Sequence, residues 1–123
     1  MRAAVLIALA ACGGTGSGVD GTRPLIALTV DEQTQLCQYL ADAHPARVVV
    51  CTMNDQRTGG GPELSTCVSG LERLASANPT CMATEAQAEA CLSAIAAYSD
   101  GEVCMPPPLP TICAPLHTPE CSH

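Results

Sequence analysis

Eight cysteines recur from residue 37 to residue 121 of this 123-residue chain, and they constrain its fold more than any other feature. Successive members lie 8 to 16 residues apart, so none forms the close pair that is typical of zinc sites or thioredoxin-type redox motifs. An even set with this spacing predicts four disulfide bonds, whose pairing the sequence does not specify. The set comprises Cys37, Cys51, Cys67, Cys81, Cys91, Cys104, Cys113 and Cys121. We predict neither a metal nor another cofactor.

The composition explains why such a chain needs cross-links. It contains no Phe, no Trp and two Tyr, so the core lacks the side chains that bury most area. Disulfides compensate for small cores of this kind. The formal charge is −7, and the five arginines, which are the only basic residues besides histidine, are scattered singly. Without a basic stripe to follow a phosphate backbone, nucleic-acid binding is not expected.

The first eleven residues have the character of an export signal. Arg2 is followed by nine residues without a polar side chain, a run well short of the roughly 20 residues that span a bilayer. The run ends in Leu9-Ala10-Ala11-Cys12, which resembles the lipobox of bacterial lipoproteins. The resemblance is to small Cys-rich bacterial lipoproteins of uncharacterised function. It implies that residues 1–11 are removed and that Cys12 becomes the lipidated N-terminus.

The cysteine count agrees with this interpretation, because removing Cys12 from nine cysteines leaves an even set. The alternative is cleavage by an ordinary signal peptidase after Ala8-Leu9-Ala10, which gives a soluble secreted protein. Residues 12–24 are rich in Gly and predict a flexible tether carrying the lipid. Residues 25–123 then form the Cys-rich helical domain.

Three stretches show the apolar periodicity of helices. The first follows a capping box at Thr29 and ends near Ala43, before Pro45; the second follows Pro62; the third follows a capping box at Thr84. Each carries one cysteine on its apolar face, namely Cys37, Cys67 and Cys91, which suggests helices stapled to loops. We therefore predict a mostly α fold, a small disulfide-stapled bundle of about three helices with long irregular loops.

The remaining segments give weaker signals. Residues 46–53 are rich in β-branched side chains and predict one short strand, for which we identify no partner. Residues 54–61 predict a mobile surface loop, and Asp100-Gly101 predicts a turn. Residues 104–121 contain most of the prolines and no helical pattern, so they predict an extended C-terminal tail held by cysteines.

No motif for catalysis is present, and we predict no enzymatic activity. His44, His117 and His123 lie in loop or terminal positions typical of solvated side chains, and Glu85 with Glu89 forms one polar helix face. We expect a monomeric, non-enzymatic lipoprotein of the bacterial envelope, anchored through Cys12 and serving a structural or protein-binding role. Gly13 after the lipidated cysteine favours the outer over the inner membrane. The alternative is a soluble secreted inhibitor or small-ligand-binding module.

Overall fold

The computed structural model describes residues 16–122. Helices dominate this region, and one small two-stranded sheet accompanies them. The α-helices are α1 (Val30–Ala43), α2 (Leu64–Ala77), α3 (Glu85–Ala96) and α4 (Asp100–Cys104). The strands are β1 (Arg47–Thr52) and β2 (Asp55–Gly59), and 3-10 helices cover Leu25–Ala27 and Thr111–Leu116. The mostly α, disulfide-rich class is confirmed, but α4 and the sheet extend it beyond a bundle of three helices.

Local capping signals place the helix starts. Thr29 and Thr84 each accept a hydrogen bond from the backbone N–H three residues on, and the side chain at that position bonds back, so both predicted capping boxes are confirmed. Ser99 forms a third capping box with Glu102 and begins α4, where the sequence predicted only a turn. Helix α2 begins two residues after Pro62, with Glu63 at its N-cap position.

The strand predicted within residues 46–53 is confirmed as β1, but the prediction of a loop after it was wrong. Residues 54–61 contain β2, which pairs antiparallel with β1 so that Val48 faces Thr58 and Val50 faces Gln56. Gly60, at φ 84°, then brings the chain so close to Pro45 that a Cβ at this position would collide with the Pro45 carbonyl oxygen. Only glycine allows this close return of the chain.

The core lies where α1 meets α2 and α3. Leu36, Cys37 and Leu40 on one face of α1 are fully buried. Leu25 of the first 3-10 helix and Ala88 of α3 complete the centre of this cluster. The second 3-10 helix packs against α3, and α4 packs against both strands. The prediction of an extended C-terminal tail without helical pattern was wrong in part. Residues Thr111–Leu116 of this tail form the second 3-10 helix.

The segment ahead of the first 3-10 helix is packed onto the domain, which differs from the predicted flexible tether. Val19 is 3% exposed and Ser17 is also buried. Backbone groups of Gly21 and Arg23 accept hydrogen bonds from the first residues of α3, and Pro24 bridges to Thr84. The ordered domain therefore includes residues 16–24. The rest of the predicted tether, with Cys12, lies outside the described residues.

Candidate functional site

Four disulfides join all eight of the predicted cysteines. The bonds are Cys37–Cys67, Cys51–Cys104, Cys81–Cys121 and Cys91–Cys113, with sequence separations of 30, 53, 40 and 22 residues. Loops of these lengths correspond to about 3–4 kcal/mol of stabilisation per bond in the chain-entropy model. The bonds therefore supply much of the stability that a core without Phe and Trp lacks.

The disulfides connect different parts of the fold. Cys37–Cys67 joins α1 directly to α2, so the expectation that helices are stapled to loops was wrong at this position. Cys91–Cys113 joins α3 to the second 3-10 helix, and Cys81–Cys121 fastens the end of the tail. Cys51–Cys104 ties β1 to the end of α4. Persistent disulfides of this kind indicate an oxidising environment, as in the cell envelope or outside the cell.

The hairpin of β1 and β2 presents two different faces. Val49 is 3% exposed and packs inward, whereas its neighbours Val48 and Val50 are 70% and 63% exposed. This alternation follows from the two-residue period of a strand. Met53, just beyond β1, is 94% exposed. We call Val48 and Val50 the hairpin patch, an apolar surface that nothing within the described residues covers.

Two arginines connect the hairpin to α4 and to the residues just before it. Arg47 donates two hydrogen bonds to Asp100 and a third to the carbonyl of Tyr98. Arg57 pairs with Asp55 and also donates to the backbone carbonyl of Cys104 at 3.0 Å. Together with the Cys51–Cys104 bond, these contacts hold the hairpin patch in one orientation.

A groove of about 310 Å³ lies beside the hairpin. Its lining is mainly apolar and comes from β2, the end of α3, α4 and the proline-rich segment; it includes Gly59, Ile95, Tyr98, Val103, Pro107 and Leu109. The proline-rich segment is anchored at both ends, because Cys104 and Cys113 bond to different partners. It therefore forms a fixed wall of the groove.

A second pocket, of about 300 Å³, lies between α2, α3 and the second 3-10 helix. Its lining is mainly apolar and includes Leu74, Leu92, Ile95 and Leu116, together with His117.

The histidines were predicted to be solvated surface side chains, and His117 is indeed exposed. His44 is half-buried as the C-cap residue of α1, and His123 lies outside the described residues.

The environment of Glu85 differs from the one that the sequence predicts. Glu85 is 0% exposed, although we expected it to lie on a solvated face with Glu89. Burial raises the pKa of Glu85 to about 7, against the opposing effect of a hydrogen bond from Ser17. The negative charges of Glu89 and Asp20 raise this pKa further. The burial was missed because the segment that covers Glu85 was interpreted as a tether.

Within residues 16–122, no group of three or more His, Cys, Asp or Glu side chains is placed to hold a metal ion. In the same region, no helix is long and apolar enough to cross a membrane. Comparisons of the chain with protein-family models, with curated proteins and with solved structures found no match.

Proposed function

We propose that this chain is a non-enzymatic lipoprotein of the bacterial envelope, anchored through Cys12, whose disulfide-stapled domain binds a protein partner. One observation carries the proposal: the four disulfides use all eight cysteines other than Cys12. The cysteines of the described residues pair among themselves, which supports assigning Cys12 to the lipid rather than to a disulfide. Cys12 also lies directly after the lipobox-like sequence Leu9-Ala10-Ala11.

The partner-binding role is supported by the hairpin patch. Exposed valines on a strand that is rigidly held are a suitable contact surface, because little conformational entropy is lost when a partner binds there. The disulfide and the arginine contacts fix the hairpin, and the groove beside it offers further apolar area. The domain thus combines a stable scaffold with an apolar surface on one side.

A second candidate function is a soluble secreted module that binds a small ligand. The pocket lined by Leu74, Leu92, Ile95 and Leu116 favours it, since its volume of about 300 Å³ lies at the lower end of small-molecule sites. This candidate differs from the first in its N-terminus, because it requires cleavage near Ala10 and no lipid.

The intact mass of the protein expressed in a bacterial host tests the proposal. Expected is a chain that begins at an acylated Cys12 and sediments with membranes, with eight thiols appearing only after reduction. Cys12→Ser should abolish the lipid and release the protein from membranes. Thr15→Ser, a neighbouring substitution outside the lipobox, should leave both unchanged. An unmodified chain starting after Ala10 would support the secreted module, and a chain starting at Met1 with nine free thiols would overturn both candidates.

A further inference from the structure

Two glutamates on α3 hold the segment of residues 16–20, which we call the N-terminal strap. Glu89 accepts hydrogen bonds from the first two backbone N–H groups of the strap, at 2.9 and 3.1 Å. Glu85 accepts the hydroxyl hydrogen bond of Ser17 at 2.7 Å. From the opposite side, Gln35 of α1 donates to the carbonyl of Ser17 at 2.8 Å. The strap is therefore fixed between α1 and α3 largely by polar side chains.

The carboxyl group of Glu85 is only half satisfied by these contacts. Its Oε2 atom accepts from Ser17, but its Oε1 atom is buried without a donor. Glu89 lies one turn further along α3, and its negative charge favours the protonated form of Glu85. Protonation of Glu85 removes the negative charge that would otherwise be buried with one oxygen atom unpartnered.

The charged groups near Glu85 and Glu89 do not neutralise these two carboxyl groups. Asp20 of the strap is acidic, and hydrogen bonds from Thr22 keep its pKa below the usual value, so it is ionised near neutral pH. Arg23, the cation that follows the strap, pairs with Glu32 at 3.1 Å. A like charge beside a buried carboxylate disfavours ionisation.

The side chains of α1 that contact the strap are an amide and an aromatic ring. They are the amide of Gln35 and the phenol ring of Tyr39, which lies against Gly16. No cation from this helix is therefore bonded to Glu85 or Glu89 within the described residues. Ionising Glu85 would leave two adjacent carboxylates, one of them fully buried, with Asp20 nearby.

We propose that the N-terminal strap is a proton-controlled latch, which is closed while Glu85 carries a proton and is released when Glu85 and Glu89 are both ionised. Release lets water solvate both carboxylates. This hydration removes the cost of burying their negative charges under the closed strap. Val19 opposes release, because this residue of the strap is buried in the core of the domain in the closed form. The balance between these two effects sets the population of the open form at each pH.

Release would lengthen the connection between the domain and Cys12. Five freed residues add at most about 17 Å of extended chain. This consequence rests on the proposed lipid anchor, whereas the latch is a property of the domain alone. A failure of lipidation and a failure of the latch are therefore distinguishable.

Amide hydrogen exchange by NMR on the full chain with its disulfides intact tests the latch. The protection factors of the Gly16 and Ser17 amides, each referred to its intrinsic rate, should fall between pH 5 and pH 8. The shift of the Glu85 pKa from 4.5 to about 7 sets the limit of this fall at about 70-fold. Amides in the centre of α1 should show no comparable change.

Glu85→Gln should remove most of the pH dependence, because its side chain cannot ionise. Glu72→Gln makes the same charge change at an exposed position of α2 and should keep the dependence. Equal pH dependence in the wild type and Glu85→Gln would overturn the latch, as would constant protection in the wild type. If Glu85→Gln does not fold, the carbon-13 titration of Glu85 in the wild type decides. A midpoint near 7 supports the latch, and one near 4.5 overturns it.

Discussion

The hydroxyl of Ser17 donates a 2.7 Å hydrogen bond to Oε2 of Glu85, across 68 residues of sequence. The same hydroxyl accepts from the backbone N–H of Val19, so it links a buried acid to the turn of the strap. Glu85 is at the same time the first residue of α3. One side chain therefore serves both the start of a helix and the docking of the chain that precedes the domain.

Ser17→Ala should destabilise the domain by about 1–3 kcal/mol, because it leaves a buried carboxyl oxygen without its donor. The loss should be larger at pH 5 than at pH 8, because the closed strap makes this hydrogen bond while Glu85 is protonated and the released strap does not. Guanidinium denaturation at the two pH values measures this difference. Ser69→Ala, at an exposed position of α2, is the matched control and should change stability little. Equal losses at both pH values would contradict the assignment of Glu85 as the titrating acceptor.

The free energy of unfolding should fall as the pH rises from about 4.5 to 7. The folded pKa of Glu85 is raised, so the folded state holds a proton that the unfolded chain releases at lower pH. The advantage is complete below pH 4.5 and is lost as the pH passes through 7. For this one group the loss amounts to at most about 3 kcal/mol.

Denaturation curves of the wild type, Glu85→Gln and Glu72→Gln across this pH range measure the effect of Glu85. Glu85→Gln should be more stable than the wild type at pH 8 and should vary less with pH. The Glu72→Gln curve should run parallel to that of the wild type, because Glu72 is exposed. Parallel curves for all three proteins would show that another group causes any pH dependence.

Sequence reasoning succeeded where the signal was local. A capping box needs only residues three apart, and Thr29 and Thr84 carry that signal in the chain itself. It failed at β2, whose residues Asp55–Gly59 have no apolar alternation and form a strand because β1 supplies the pairing partner. Strand propensity depends on such context more than helix propensity does.

The buried environment of Glu85 depends on contacts between distant segments. Ser17 and Val19 lie in a Gly-rich stretch whose composition is that of a linker, and nothing in their spacing marks them as buried. The disulfide partners were unpredictable for the same reason. Cys37 and Cys67 meet only because α1 packs against α2, and the spacing of cysteines carries no information about that contact.

Removing one disulfide at a time should separate global from local stabilisation. Replacing Cys37 and Cys67 together by Ala should cost about 4 kcal/mol or more, because the bond closes a 30-residue loop and Cys37 lies in the core. Replacing Cys51 and Cys104 together opens a longer loop, of 53 residues. Those two residues are only half-buried, however, and their bond mainly holds the hairpin.

Denaturation together with hydrogen exchange distinguishes these two effects. Without Cys37–Cys67, protection should fall throughout α1 and α2. Without Cys51–Cys104, it should fall mainly in β1 and β2, with Arg47 and Arg57 retaining part of the order. Uniform loss of protection across the domain in the second variant would contradict a local role for that bond.

Alanine substitutions at adjacent positions of β1 should test the two faces of the hairpin. Val49→Ala removes buried methyl groups and should cost about 2 kcal/mol, from the lost burial and the remaining cavity. Val48→Ala removes the same atoms from an exposed position and should change the free energy of unfolding by less than about 0.5 kcal/mol. If the hairpin patch is the partner surface, Val48→Ala should instead weaken binding to that partner. Comparable stability losses at the two positions would show that the register of β1, and with it the exposed patch, is misassigned.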